Sequence, residues 1–189
     1  MYKDMSIYNT TFDSANTAVR AFLTKVGEYY LGRSFNTSSG QAKKDWLIIK
    51  NEVFNSKCAY CGQQTDALQM EHLIMFNKIE YGLHHPGNIV PCCKVCNTRR
   101  KKADNSYMSW EEHLYKVCED NNTLEYYEER RNAILRHMND GKFKYPCLSN
   151  EEKNAIKIIA DSLYENIKLE VDKSLNLFQN LQKAFIKSI

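Results

Sequence analysis

Cys58-Ala59-Tyr60-Cys61-Gly62, Glu71-His72, Gly87-Asn88-Ile89-Val90-Pro91-Cys92-Cys93-Lys94-Val95-Cys96-Asn97 and Arg99-Arg100-Lys101-Lys102 follow one another within one stretch of the chain. How this stretch is read decides the fold. It contains two Cys-x-x-Cys pairs, Cys58/Cys61 and Cys93/Cys96. A two-residue gap lets both sulfurs of one tight turn reach a tetrahedral ion, so the four are expected to hold a structural Zn2+. About thirty residues separate the pairs, against about fifteen to twenty in a zinc ribbon. The clamp therefore encloses a substructure. Cys92 beside Cys93 also admits a ligand set shifted by one; Cys93 is preferred because it keeps the two-residue gap.

Within the clamp, residues Ala67–Ile74 alternate around Leu68, Met70 and His72 and read as a strand. Residues 75–87 hold Gly82, Pro86 and Gly87 and read as a loop, and Asn88–Pro91, with β-branched Ile89 and Val90, reads as a second strand. A polar helix is expected from Lys94 to about Ala103. The result is a ββα unit pinned by metal at both ends.

Outward from this unit the pattern turns helical. Ala18, Phe22, Val26 and Tyr29 predict a helix over about 14–30 with Asp13 or Ser14 as N-cap, and a loop at Gly32–Gly40 separates it from a second helix, Gln41–Phe54. Ser109 with Glu112 and Ser149 with Glu152 match capping boxes. The first opens a helix, and another is expected over about Leu124–Met138. The second opens a long stretch without Gly or Pro. The expected fold class is α+β, with a zinc-stapled ββα core at 58–105 between mainly helical segments at 1–57 and 106–189.

Composition excludes some classes of function. Of 189 residues, 43% are hydrophobic and 26% charged, ordinary for a globular chain and against long disorder. A net charge of +3 is too small to argue for nucleic acid, but Lys94, Arg99, Arg100, Lys101 and Lys102 cluster with no acid among them. Such a patch suits phosphate. Seven cysteines, four of them in ligand spacing, favour a reducing compartment over a disulfide framework. No leader and no membrane-spanning apolar run is read in the chain, so a soluble, cytoplasmic protein is expected.

The two pairs, the acid–His dipeptide, the Asn-Ile-Val-Pro strand and the Cys-Asn step into a basic run together resemble the HNH endonucleases of the ββα-metal fold. The resemblance covers about Cys58–Lys102, a quarter of the chain. It implies that His72 is the general base that deprotonates the attacking water, a task suited to a pKa near operating pH. It also implies that Glu71 and Asn97 ligate a catalytic Mg2+, with Mn2+ as the alternative, and that Asn88 holds the loop between the strands and so supports His72. Glu71 stands where this branch commonly has Asp. The implied reaction hydrolyses DNA, expected to be duplex, to a 5′-phosphate and a 3′-hydroxyl in a restriction or anti-phage role. Arg99, Arg100, Lys101, Lys102 and Lys94 would hold neighbouring phosphates. Adjacent strand residues point to opposite faces, so Glu71 and His72 meet one substrate only if the strand end is irregular.

The other candidates have plainer readings. His84 and His85 are expected to be exposed in the loop beside the site, with a phosphate or metal contact as the alternative, His113 and His137 to lie on helix surfaces, and Cys118 and Cys147 to be small apolar residues. The apolar stripe through Leu175 is core or interface, and a homodimer through the C-terminal helix is expected from it. Two rival functions use the same residues: a zinc-dependent nucleic-acid-binding module without cleavage, and a subunit of a defence complex that docks through the last helix.

Overall fold

The computed structural model describes residues 10–185. The first nine residues of the expected 1–57 segment and the last four of 106–189 lie outside the described residues. The elements are α1 (Thr11–Leu31), α2 (Gly40–Ile48), β1 (Gln69–His72), β2 (Ile89–Cys92), α3 (Trp110–Asp120), α4 (Tyr127–Asn139) and α5 (Asn150–Phe185). It is a helix-rich α+β structure with one small antiparallel sheet. No helix among the described residues is long and apolar enough to cross a membrane.

The helix ends follow local chemistry. α1 starts one turn earlier than expected: the Asp13 N–H donates to Thr10 Oγ1 at 3.2 Å, and the Thr10 N–H donates to Asp13 Oδ2 at 3.0 Å. Thr10 is thus the N-cap and Asp13 the third helical residue, where its charge also suits the helix dipole. The boxes at Ser109/Glu112 and Ser149/Glu152 both form. α2 continues through a π-helical turn, Ile49–Val53, and stops at Asn55 and Ser56, both left-handed with φ near 50°.

The chain groups into two compact units. One combines residues 24–76 and 82–147. Its core gathers Ile49, Tyr60, Leu73, Val90, Leu114 and Ile134, all at most 1% exposed. Burying each aliphatic side chain contributes about 1.5–3 kcal/mol. The other combines, among the described residues, 10–23, 77–81 and 148–185. There Tyr81 donates its hydroxyl to Asp161 at 2.7 Å, and the Lys78 ammonium sits 3.6 Å from the centre of the Tyr164 ring.

In the first unit β1 pairs antiparallel with β2, Gln69 opposite Cys92 and His72 opposite Ile89. β2 is buried along its length, while β1 has Gln69 exposed and the rest half-buried. β1 is shorter than the expected 67–74, and β2 keeps its expected length but lies one residue later. β2 begins only at Ile89 because Pro86–Asn88 forms a 3-10 turn. The helix expected from Lys94 to Ala103 is not formed. Instead Lys101 pairs with Tyr107, the Met108 N–H donates to Arg100 O, and the chain reverses at Asp104-Asn105. Asp104 Oδ1 accepts the Ser106 N–H and Asn105 is left-handed (φ 65°). These are the side-chain and backbone habits by which Asp and Asn favour turns over helix. The next helix is α3, so the order after β2 is loop, then helix.

Candidate functional site

Cys58, Cys61, Cys93 and Cys96 place their four sulfurs within 4.8 Å of one another. The Cys61 and Cys93 sulfurs are 3.8 Å apart. Zn–S bonds of about 2.3 Å in a tetrahedron require sulfur–sulfur separations of about 3.8 Å, so the four are positioned for a metal ion and compatible with a structural zinc. Local backbone makes each knuckle. Gly62 adopts φ 73° directly after Cys61 and donates its N–H to Cys58 O at 2.8 Å, while the Asn97 N–H donates to Cys93 O at 3.0 Å. A side chain at Gly62 would be strained by that φ and would meet Arg130 Nη2 at 2.9 Å.

The knuckles are held from behind. Arg130 on α4 donates to Tyr60 O at 3.1 Å. His113 on α3 donates Nε2–H to Cys96 O at 2.9 Å, and its Nδ1 faces the Arg100 N–H. The Ala59 N–H donates to Pro91 O, which ties the first knuckle to β2. Cys92 is fully buried with its sulfur 4.0 Å from that of Cys58. Hydrogen bonds from Cys61, Cys92 and Cys96 draw the Cys58 thiol down, and the bond to Cys58 pushes Cys92 up.

At the other end of β1 stands His72. The loop after it is closed by Asn88, which is fully buried. Its Oδ1 accepts the Ile74 N–H at 2.8 Å, and its Nδ2 donates to Ile74 O at 2.9 Å and Leu83 O at 3.0 Å. Its own carbonyl accepts the Leu73 N–H at 2.9 Å. These four bonds fix both ends of the loop against β2. The His72 ring stacks on Phe76 at 4.8 Å, 16° from parallel, and its Nε2 lies 3.0 Å from His84 Nδ1.

Glu71 lies on the opposite sheet face from His72, as strand alternation requires. Its Oε1 accepts from Arg99 Nη2 at 2.6 Å and Nε at 3.2 Å. Arg99 is buried, 7% exposed, and also donates to the carbonyls of His72, Leu73 and Met108. The reading of Arg99 as a phosphate contact is corrected: it is a core cation that pins β1. Asn97 is not at a helix start; its Nδ2 donates to Gln69 Oε1 at 2.8 Å, on the face that carries Glu71. Lys94 and Lys101 are exposed, whereas Arg100 and Lys102 form surface ion pairs with Asp120 and Glu112.

His85, His113 and His137 are buried, not on the surface where the sequence reading puts them. His85 is 3% exposed, accepts the Gly87 N–H at Nδ1, and is lowered to about 4 by burial and then by Arg33. His113 and His137 are 1% and 3% exposed, both held below the usual range chiefly by burial. His137 donates Nε2–H to the carbonyls of Pro86 and Ile89 at 3.1 and 3.0 Å, and so anchors the turn before β2. The missed signal was helical spacing: His113 sits one turn before Val117, and His137 one turn after Ile134, on the apolar faces of their helices. His84, half-buried against His72, has no comparable signal.

Comparison with protein-family models, with curated proteins and with solved structures finds no match to the chain.

Proposed function

We propose that this chain is an endonuclease that hydrolyses DNA phosphodiester bonds, with His72 as the general base and a structural Zn2+ on the four cysteines. The supporting observation is the His72 imidazole, oriented at the end of β1 by Phe76, by His84 and by the loop that Asn88 closes. An imidazole held this rigidly takes a proton from water near neutral pH and needs no reorganisation to do so. Direct attack by the activated water leaves a 5′-phosphate and a 3′-hydroxyl. Lys94, Lys101, Arg100 and Lys102 contact flanking phosphates; the last two sit in exposed ion pairs worth little, which a phosphate can replace. A second copy would pack on the exposed apolar residues of α5, among them Leu175, Phe178 and Leu181.

The Mg2+ or Mn2+ of the resembled family would supply a Lewis acid for the scissile phosphate. Glu71 and Asn97, as held here, do not form its site together with His72: one is ion-paired to Arg99, the other bonded to Gln69, both across the sheet from His72. The same observation favours a second reading, a zinc-dependent nucleic-acid-binding module that uses the same cysteines and lysines without cleavage. Zinc-loaded protein incubated with plasmid and linear duplex DNA in Mg2+, in Mn2+ and in EDTA separates the two. Cleavage to 5′-phosphate ends supports the nuclease. DNA retarded in a gel but intact in Mg2+ and in Mn2+, with the retardation lost when EDTA strips the zinc, supports the binding module.

A further inference from the structure

Asn97 and Gln69 join the second cysteine knuckle to β1 through their side-chain amides. Asn97 Nδ2 donates to Gln69 Oε1 at 2.8 Å, and Gln69 stands opposite Cys92 in the ladder, directly before the knuckle. A side-chain amide carries two N–H donors and one acceptor oxygen. With one Asn97 N–H given to Gln69, its other N–H and its Oδ1 remain together on one amide, half-exposed beside exposed Gln69. Neither side chain makes a further hydrogen bond among the described residues. An acceptor beside a donor is the complement of adenine in the major groove, where N6 donates and N7 accepts.

The same knuckle supplies the other contacts that a duplex needs. Val95, two residues before Asn97, is 86% exposed, the highest of any large apolar side chain among the described residues. Its methyl groups match the C5-methyl of thymine, which apolar side chains contact in the major groove. Lys94 beside it is exposed and offers a cation for phosphate. The support is rigid. The Asn97 N–H closes the turn on Cys93 O at 3.0 Å, and buried His113 holds Cys96 O at 2.9 Å from behind. Contacts on such a turn are made without ordering a loose loop.

We propose that the second knuckle is a base-reading edge for duplex DNA: Asn97, oriented by Gln69, pairs bidentately with an adenine in the major groove, Val95 contacts a neighbouring thymine methyl, and Lys94 takes a flanking phosphate. This rests on the reading that the chain binds duplex DNA and is independent of whether His72 cuts it, since Gln69 and His72 lie on opposite faces of β1. Gln69 acts through Asn97 as its positioning residue.

The zinc-loaded full chain is used, without Mg2+ or Mn2+, to select duplexes from a pool with a randomised stretch, and the retained DNA is sequenced. The expected result is an enriched site containing an A·T pair. Replacing that pair by G·C weakens wild-type binding on the order of 5- to 150-fold, the range for one bidentate base contact. Asn97→Ala binds the two duplexes alike. Asn97→Asp keeps an acceptor but has no N–H, and moves the preference at that position to cytosine, whose N4 donates. Lys94→Gln weakens all sequences equally and lowers the salt slope by about one. Wild type that binds duplex DNA without a preferred site overturns the proposal and leaves the DNA reading standing, as does discrimination that survives in Asn97→Ala. If Asn97→Ala loses zinc or fails to fold, Asn97→Asp decides, and an unmoved preference there overturns the proposal. Wild type that retains no duplex, or only RNA, overturns the DNA reading and the proposal together.

Discussion

Replacing Arg99 by Met separates the two roles this residue could have. The Arg99 side chain is 3% exposed and that of Glu71 13%, and the guanidinium serves three backbone carbonyls besides the carboxylate. Arg99→Met leaves the Glu71 carboxylate without its guanidinium on a largely dry face. Breaking a buried pair from one side costs about 3–5 kcal/mol. At about 2–4 °C per kcal/mol for a chain of this length, Tm falls by roughly 6–20 °C. Thermal unfolding of the zinc-loaded protein reads this directly. Glu71→Gln should be destabilising too, and the double variant should cost less than the sum of the single changes, because the second substitution removes a charge already stranded. If Arg99→Met keeps its Tm and instead binds DNA more weakly with a shallower salt dependence, Arg99 faces phosphate and the account of β1 is wrong.

Three further outcomes follow from the site. Cys92→Ser should keep one zinc per chain by elemental analysis, whereas Cys93→Ser should lose it and unfold with the chelated wild type, since a structural site's binding energy is folding energy; zinc loss in Cys92→Ser would shift the ligand set by one. Stability should fall on acidification: the folded pKa of His85 is about 4 against an unfolded value of about 6.5, so the unfolded chain takes up the proton first. That contribution is fully present above about pH 6.5, is lost as pH drops towards about 4, and amounts to about 3 kcal/mol, with His84, His113 and His137 shifted in the same direction; urea midpoints of wild type and His85→Asn across that range check it, and parallel curves would refute it. Asn88→Ala should cost about 2–4 kcal/mol, because three buried hydrogen bonds lose their partner at the loop ends; a loss below about 1 kcal/mol in chemical denaturation would mean the loop is closed by other contacts.

The sequence made the metal cluster legible because ligand spacing is a local property: two residues between sulfurs and a glycine after the second determine the knuckle whatever surrounds it. The short sheet was legible for a similar reason, the alternation at Met70 and His72 and the β-branched Ile89-Val90 pair. Capping boxes at Ser109 and Ser149 depend on residues three apart and were equally plain. What escaped was non-local. Nothing in Arg99-Arg100-Lys101-Lys102 says that its first member turns inward to Glu71, 28 positions earlier. His113 and His137 are buried, and His84 half-buried, against carbonyls of Cys96, Pro86 and Ile89 and the ring of His72 that reach them across the fold, and composition cannot supply such partners. Adjacent Glu71 and His72 look like a functional pair on paper; the pleat divides them between two faces.

The central claim, that His72 is the base of a phosphodiesterase, is tested most directly by single-turnover cleavage of duplex DNA with His72→Ala or His72→Gly, with and without added imidazole. The account predicts that wild type cleaves, that either variant loses on the order of 10²–10⁴-fold in rate, and that imidazole restores part of the loss as pH rises through its own pKa. Cleavage by His72→Ala at the wild-type rate, with zinc content and DNA affinity unchanged, would contradict it.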